Sequence, residues 1–175
     1  VEPGHYLRLD LSAKKIDNYN YWNVLPFYQK PKLKISFDEA ISELNDILKS
    51  AFAYRMIADV PVGVFLSGGY DSSAVLAILS KQYSEKLKTF TIGFDYGNNE
   101  APAARTIAEH LGSDHHELIC TAQEAQEIIP SLPFFFDEPF ADSSAIPTIL
   151  VSQFARSKVI VALSADGGDE IFAGY

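Results

Sequence analysis

Ser67-Gly68-Gly69-Tyr70-Asp71-Ser72 is the stretch that decides how this sequence folds. A short apolar run, Val60 to Leu66, precedes it, and an amphipathic segment, Ala74 to Tyr83, follows. The order is therefore buried strand, glycine turn, helix N-terminus. The first backbone N–H groups of a helix have no partner inside it and carry partial positive charge, so such a turn can hold an anion. Two adjacent glycines permit close backbone approach and positive φ. Ser67 and Ser72 add hydroxyl donors. Asp71 would repel a phosphate unless a cation stood between them, so the turn calls for a polyphosphate bound together with a divalent metal.

Outward from the turn, strands and helices alternate. Thr89 to Phe94 reads as a strand, Ala101 to Leu111 as a helix, His115 to Cys120 as a strand, and Ala122 to Ile129 and Ala145 to Ser157 as helices. Val159 to Leu163 is an apolar strand. The pattern predicts an α/β fold, a parallel sheet with helices on both faces. Ligands of such sheets bind beyond the carboxyl ends of the strands, where Ser67 and Ser164 both stand. Upstream, Ser36-x-x-Glu39 has the form of a capping box. Apolar residues from Phe37 to Phe52 follow at helical spacing and predict a core-packing helix. Residues 1–35 read differently. Val1 to Asp10 and Tyr19 to Val24 look like short strands, and Pro26, Pro31 and several lysines like a linker, which puts a boundary between residues 35 and 36.

A second constellation, Ser164-Ala165-Asp166-Gly167-Gly168-Asp169-Glu170, also follows a buried strand. Three carboxylates around two glycines repel one another unless a cation is present. Mg²⁺ takes oxygen ligands, commonly one or two carboxylates plus phosphate oxygens and water. Asp71 and Asp169 could supply those carboxylates. Read alone, the segment is equally a solvated acidic turn; beside the first motif the metal reading is the stronger.

Composition excludes several classes. The 175 residues carry a net charge of −9 and no lysine-arginine cluster, which argues against a nucleic-acid partner. No apolar run is long enough to cross a bilayer. The one cysteine, Cys120, excludes an internal disulfide and fits a reducing compartment. It ends a strand and reads as buried, not as a nucleophile.

The first turn lacks the lysine of the phosphate loop Gly-x-x-x-x-Gly-Lys-Ser/Thr. It resembles instead the PP-loop ATP pyrophosphatases, with their adenine nucleotide α-hydrolase-like sheet. Longer stretches, from Asp59 to Ser73, Asp137 to Thr148 and Ala162 to Tyr175, resemble the synthetase domain of glutamine-hydrolysing asparagine synthetases. Thr91 to Phe94 and Glu100 to Glu117 match as well. The resemblance implies an N-terminal part of the synthetase domain over residues 36–175, truncated at its C-terminus, and the tail of a glutaminase domain over 1–35. It implies ATP and Mg²⁺, adenylation of a carboxylate such as the aspartate side chain, and displacement of AMP by ammonia from glutamine. ATP would rest on Leu66, Ser67, Gly68, Gly69, Asp71, Ser72, Ile92, Ser164 and Ala165, with adenine on the strand-end backbone near Leu66 and Ile92. Mg²⁺ would lie between Asp71 and Asp169. Asp166 would orient ammonia or accept its proton.

Asp137, Glu138, Asp142 and Ser144 could line an acyl-substrate pocket, though helix capping by Ser143 or Ser144 explains part of that pattern. Ala165 stands where the family often has glycine and would crowd the nucleotide if its backbone needed positive φ. His115 and His116 are strand neighbours that point to opposite faces, and Arg55 and Lys81 read as solvated helix positions. The family's N-terminal catalytic cysteine and later basic residues have no counterpart, so a fragment without complete turnover is expected. The implied location is the cytoplasm, and a homodimer stays open as its assembly. Other acceptors, a sugar uronate, a peptide carboxylate or a β-amino acid, fit the same chemistry. A tRNA-modifying PP-loop enzyme fits less well, for want of a basic surface.

Overall fold

The structure is a computed structural model that describes residues 1–97, 99–172 and 174. The chain divides into two compact units, Val1–Ile41 and Ser42–Tyr175. The division falls inside a helix, a little beyond the boundary expected at residue 35.

In the first unit, β1 (His5–Asp10) and β2 (Lys15–Asn20) form an antiparallel hairpin with His5 opposite Asn20 and Asp10 opposite Lys15. The Asp10 carboxylate accepts from the Ser12 and Ala13 N–H groups at 3.0 and 2.8 Å, and Lys14 takes positive φ. This side-chain-closed turn starts the second strand at Lys15 and ends it at Asn20, a register earlier than the expected Tyr19 to Val24. A short helix, α1 (Leu25–Tyr28), follows.

Helix α2 (Phe37–Arg55) begins where the capping box requires. The Ser36 N–H donates to the Glu39 carboxylate at 2.8 Å, and the Glu39 N–H to the Ser36 hydroxyl at 3.3 Å. The Ser36 N–H, together with the Ser36 hydroxyl donating to the same carboxylate at 2.8 Å, holds the Glu39 carboxyl below its usual range. The helix is not the core element that its periodicity predicts. Phe37, Ile41, Leu44 and Ile47 are exposed, and Phe52 with the following Met56 meets the core. Helical spacing identifies an apolar face but not what covers it.

The second unit is built on a four-stranded parallel sheet in the order β5-β4-β3-β6, comprising β3 (Val62–Phe65), β4 (Lys88–Phe94), β5 (Asp114–Cys120) and β6 (Val161–Leu163). Helices α3 (Tyr70–Ser80) and α4 (Ala101–Leu111) pack on one face, where Val64, Leu66, Val75, Leu76, Leu79, Ala104 and Ala108 share a core. Leu76 and Leu79 are fully buried, which stabilises the fold by roughly 2 kcal/mol each. Helix α7 (Ala145–Arg156) covers the other face, with Val151 and Ala155 against Phe90 and Val159. Val64 and Phe65 feed opposite cores, as the two-residue period of a strand demands. Between β5 and α7 lie α5 (Ala122–Ile128), a 3₁₀ turn (Ile129–Ser131) and α6 (Leu132–Phe135).

The strand order matters more than any single contact. From β3 the chain moves to β4 and β5 on one side, then returns across to place β6 on the other. The reversal between β3 and β6 is a topological switch point, where the loops leaving neighbouring strands part and open a crevice.

Candidate active site

Both glycine turns leave the sheet at that reversal. Val64 pairs with Leu163, so the ends of β3 and β6 lie side by side. The first turn, 66–69, leads into α3, and the second, 164–167, into the short helix α8 (Gly168–Phe172). Their approach is close. A Cβ placed on Gly168 would run into the Asp71 carboxylate, so Asp71 stands against the backbone that immediately precedes Asp169.

The first turn is held by its own hydroxyls. Gly68 takes φ +84, and a Cβ there would stand 2.9 Å from the Ala104 nitrogen of α4, so this position requires glycine. Gly69 is the N-cap of α3, and Asp71 lies in the first helical turn, whose N–H groups have no intrahelical acceptor. The Ser72 side chain faces inward. Its oxygen accepts from the Ser67 N–H at 3.2 Å, lies 3.0 Å from the Ser67 hydroxyl, and donates to the Gly69 carbonyl at 3.3 Å. One proton and two lone pairs are thereby fully used. In this arrangement the Ser72 hydroxyl shapes the loop.

Leu66 is held from within the protein as well. Its N–H donates to the Phe90 carbonyl at 2.9 Å, and its carbonyl accepts from the Thr91 hydroxyl. Both backbone groups proposed for adenine are engaged inside the protein, and the side chain belongs to the core. Ile92 lies on β4 with its side chain packed against the core beneath α7. Sequence reading missed Thr91. The available signal was a hydroxyl at every second position of an otherwise apolar strand, Thr89-Phe90-Thr91, since a buried hydroxyl needs a partner.

In the second turn, Gly167 adopts φ +93, whereas Ala165 has no positive φ and packs against the core. The crowding expected from an alanine does not arise, because the left-handed conformation falls two residues later. The Ser164 hydroxyl donates to Asp166 at 2.7 Å and fixes an exposed carboxylate at the rim. Asp71 and Asp169 are half-buried, and no lysine or arginine ion pair reaches either among the described residues. No group of three or more histidine, cysteine or carboxylate side chains that could hold a metal occurs among the described residues. The Asp71 carboxylate lies against Gly168 and the Asp169 carboxylate against Gly174; each is an oxygen donor of the kind Mg²⁺ takes beside phosphate oxygens and water.

The remaining candidates lie further out. Asp137, Glu138, Asp142 and Ser144 are exposed in the segment leading into α7. That helix returns the chain toward the start of β6, so its N-terminus is at the same sheet edge as the two turns. Ser144 is the N-cap residue but makes no side-chain cap bond; the Asp142 carboxylate just upstream accepts from the Ser144 N–H at 2.8 Å and is held below its usual range by that bond. Lys81 is the C-cap of α3, about 16 Å along the helix from the turn, and Arg55 closes α2. Cys120 is buried at the end of β5, and burial raises its thiol pKa.

The sequence profile of the asparagine synthase family matches residues 43–175. The chain belongs to the asparagine synthase family. It is 39% identical over 180 residues to the putative glutamine-hydrolysing asparagine synthetase 2 of Methanocaldococcus jannaschii, covering all of this chain and 33% of that protein. It is 34% identical over 178 residues to the glutamine-hydrolysing asparagine synthetase 1 of Bacillus subtilis, covering 95% of this chain and 28% of that one. The chain thus spans about a third of the length of the curated relatives it matches. Among solved structures, a glutamine-dependent NAD⁺ synthetase from Acinetobacter baumannii in complex with ADP superposes with a TM-score of 0.57 at 20% identity, over 97% of this chain and 31% of that one. An NH₃-dependent NAD synthetase from Campylobacter jejuni gives 0.53 at 15% identity, over 77% and 60%. These likenesses show the fold: an α/β parallel sheet flanked by helices.

Proposed function

We propose that the crevice between the two turns binds ATP with Mg²⁺ and forms the adenylating site of an amide-forming ligase of the asparagine synthetase type. The observation that carries this reading is Asp71 against Gly168, which joins an anion-binding helix start to an acidic turn across the switch point. The pyrophosphate part of ATP would rest on Ser67, Gly68, Gly69 and the first amides of α3, with Ser164 and Ala165 along the opposite wall. The β4 backbone at Ile92, with Leu66 just past the end of β3, is proposed as the neighbour of adenine. Asp71 and Asp169 would hold Mg²⁺, which neutralises phosphate charge as the pyrophosphate departs.

The residues then position two successive displacements. An oxygen of the acceptor carboxylate attacks the α-phosphorus, the bond from that phosphorus to the α–β bridging oxygen breaks, and pyrophosphate leaves as an acyl-adenylate forms. Ammonia attacks the acyl carbon, AMP departs, and an amide remains after loss of a proton. Asp166, which accepts from the Ser164 hydroxyl, is the residue proposed to accept that proton or orient the ammonia. The amides and hydroxyls of the turns act by position and electrostatics, since phosphoryl chemistry leaves little covalent work to the protein. Aspartate is the proposed acceptor, with Asp137, Glu138, Asp142 and Ser144 as candidates for its pocket. We place residues 1–35 at the end of a glutaminase domain that supplies the ammonia, and the whole protein in the cytoplasm.

ATP–pyrophosphate exchange in the full-length protein tests this reading. Aspartate should stimulate exchange with Mg²⁺ present, and Asp71→Asn should lower it by about a hundredfold or more. Stimulation by a sugar uronate or a β-amino acid instead would keep the chemistry and change the acceptor. No exchange with any carboxylic acid, or full exchange in Asp71→Asn, would overturn the site.

A further inference from the structure

The Leu66–Ser67 peptide unit is gripped from both sides. Its carbonyl accepts from the Thr91 hydroxyl of β4, and its N–H donates to the Ser72 hydroxyl of α3 at 3.2 Å. Both hydroxyls are buried, Thr91 at 2% and Ser72 at 6% exposure. Neither residue adjoins the other in sequence or in secondary structure. β4 extends past the end of β3, whose last paired residue is Phe65 opposite Phe90, and this overhang brings Thr91 level with the Leu66 carbonyl. A peptide plane with both ends bonded to buried groups cannot rotate without leaving two polar atoms unsatisfied. This plane is also the one from which the chain turns out of the sheet into Gly68, the left-handed residue that aims the rest of the loop.

We propose that Thr91 is a positioning residue for the nucleotide site, acting through the Leu66–Ser67 peptide to fix the loop before any ligand arrives. The proposal rests on the ATP-binding reading above. Pre-fixing the loop removes an ordering cost from binding, so its loss should weaken nucleotide affinity more than it weakens the fold. Thr89 supplies the contrast. It lies on the same strand at 0% exposure, but its hydroxyl contacts Ser113 at 3.0 Å and His115 at 2.9 Å, away from the loop.

The experiment compares Thr91→Val, Thr91→Ser and Thr89→Val in the full-length protein, measuring Mg-ATP and Mg-pyrophosphate dissociation constants beside thermal unfolding. Thr91→Val should weaken both ligands by about tenfold, Thr91→Ser should restore most of that, and Thr89→Val should lower Tm without weakening either. Equal affinities in wild type and Thr91→Val would overturn the proposal, as would equal losses in Thr91→Val and Thr89→Val. Should Thr91→Val fail to fold, Ser72→Ala removes the other grip and decides in its place: unchanged affinity there rejects the pinned peptide, and a tenfold loss supports it. A wild-type protein that binds neither ligand rejects the ATP reading itself, a distinct result.

Discussion

At the scale of single residues, space and backbone conformation explain the two turns more than charge does. Gly68 combines φ +84 with a backbone neighbour that any Cβ would strike, whereas Gly97 has φ +68 and open space around it. Gly68→Ala should therefore cost about 3 kcal/mol of stability and Gly97→Ala about 1 kcal/mol, read from urea unfolding. Equal costs would mean that α4 yields readily to the loop. Ser72 makes a related point. Its hydroxyl is identifiable in the sequence as part of a motif, but whether it faces ligand or loop depends on a rotamer that no motif encodes.

Among the elements, β5 joins packing to protonation. His115 lies on this strand with its ring against Thr89, faced by Glu117 on the same strand and by Arg105 and Glu109 on α4, with His116 adjacent. Burial is the largest influence and lowers its pKa, over the opposing pull of Glu117. The unfolded chain therefore takes up a proton first. The stability contributed by neutral His115 is fully present above about pH 6.5 and falls as pH drops from there through the depressed folded value. Asp114, held low by its Lys88 hydrogen bond, loses its contribution only as pH falls through the carboxylate range. A Tm series from pH 7.5 to 5.5 should thus decline, and His115→Gln should flatten the decline; an unchanged slope would remove His115 as its source. Most elements of the second unit were legible from sequence, since parallel strands buried on both faces show as apolar runs and α4 shows both its first proline turn and its Gly112 stop. The start of β2 was not, because the Asp10 turn that sets it depends on backbone geometry. The exposure of α2 was not, because periodicity marks a face without naming its partner. The engaged backbone of Leu66 depends on the overhang of β4, a matter of register between strands distant in sequence.

On the scale of the whole molecule, the site belongs to the strand order. β6 is three residues long and pairs with β3 alone among the described residues, and it is otherwise secured by α7 and by Leu163 against the first core. A ligand gripping both turns should add a tie across that pair. Hydrogen exchange with Mg-ATP is expected to slow in residues 161–172 together with 66–72; slowing in 66–72 alone would remove the second turn from the site. Strand order also sets a sequence in time. The Ser67 turn leaves the ribosome early, yet its acidic counterpart arrives only after β4, β5 and α7 have been made, and a chain folded as far as β5 has the first turn without the second. Nucleotide capture would then serve a newly made molecule as the signal that β6 has docked.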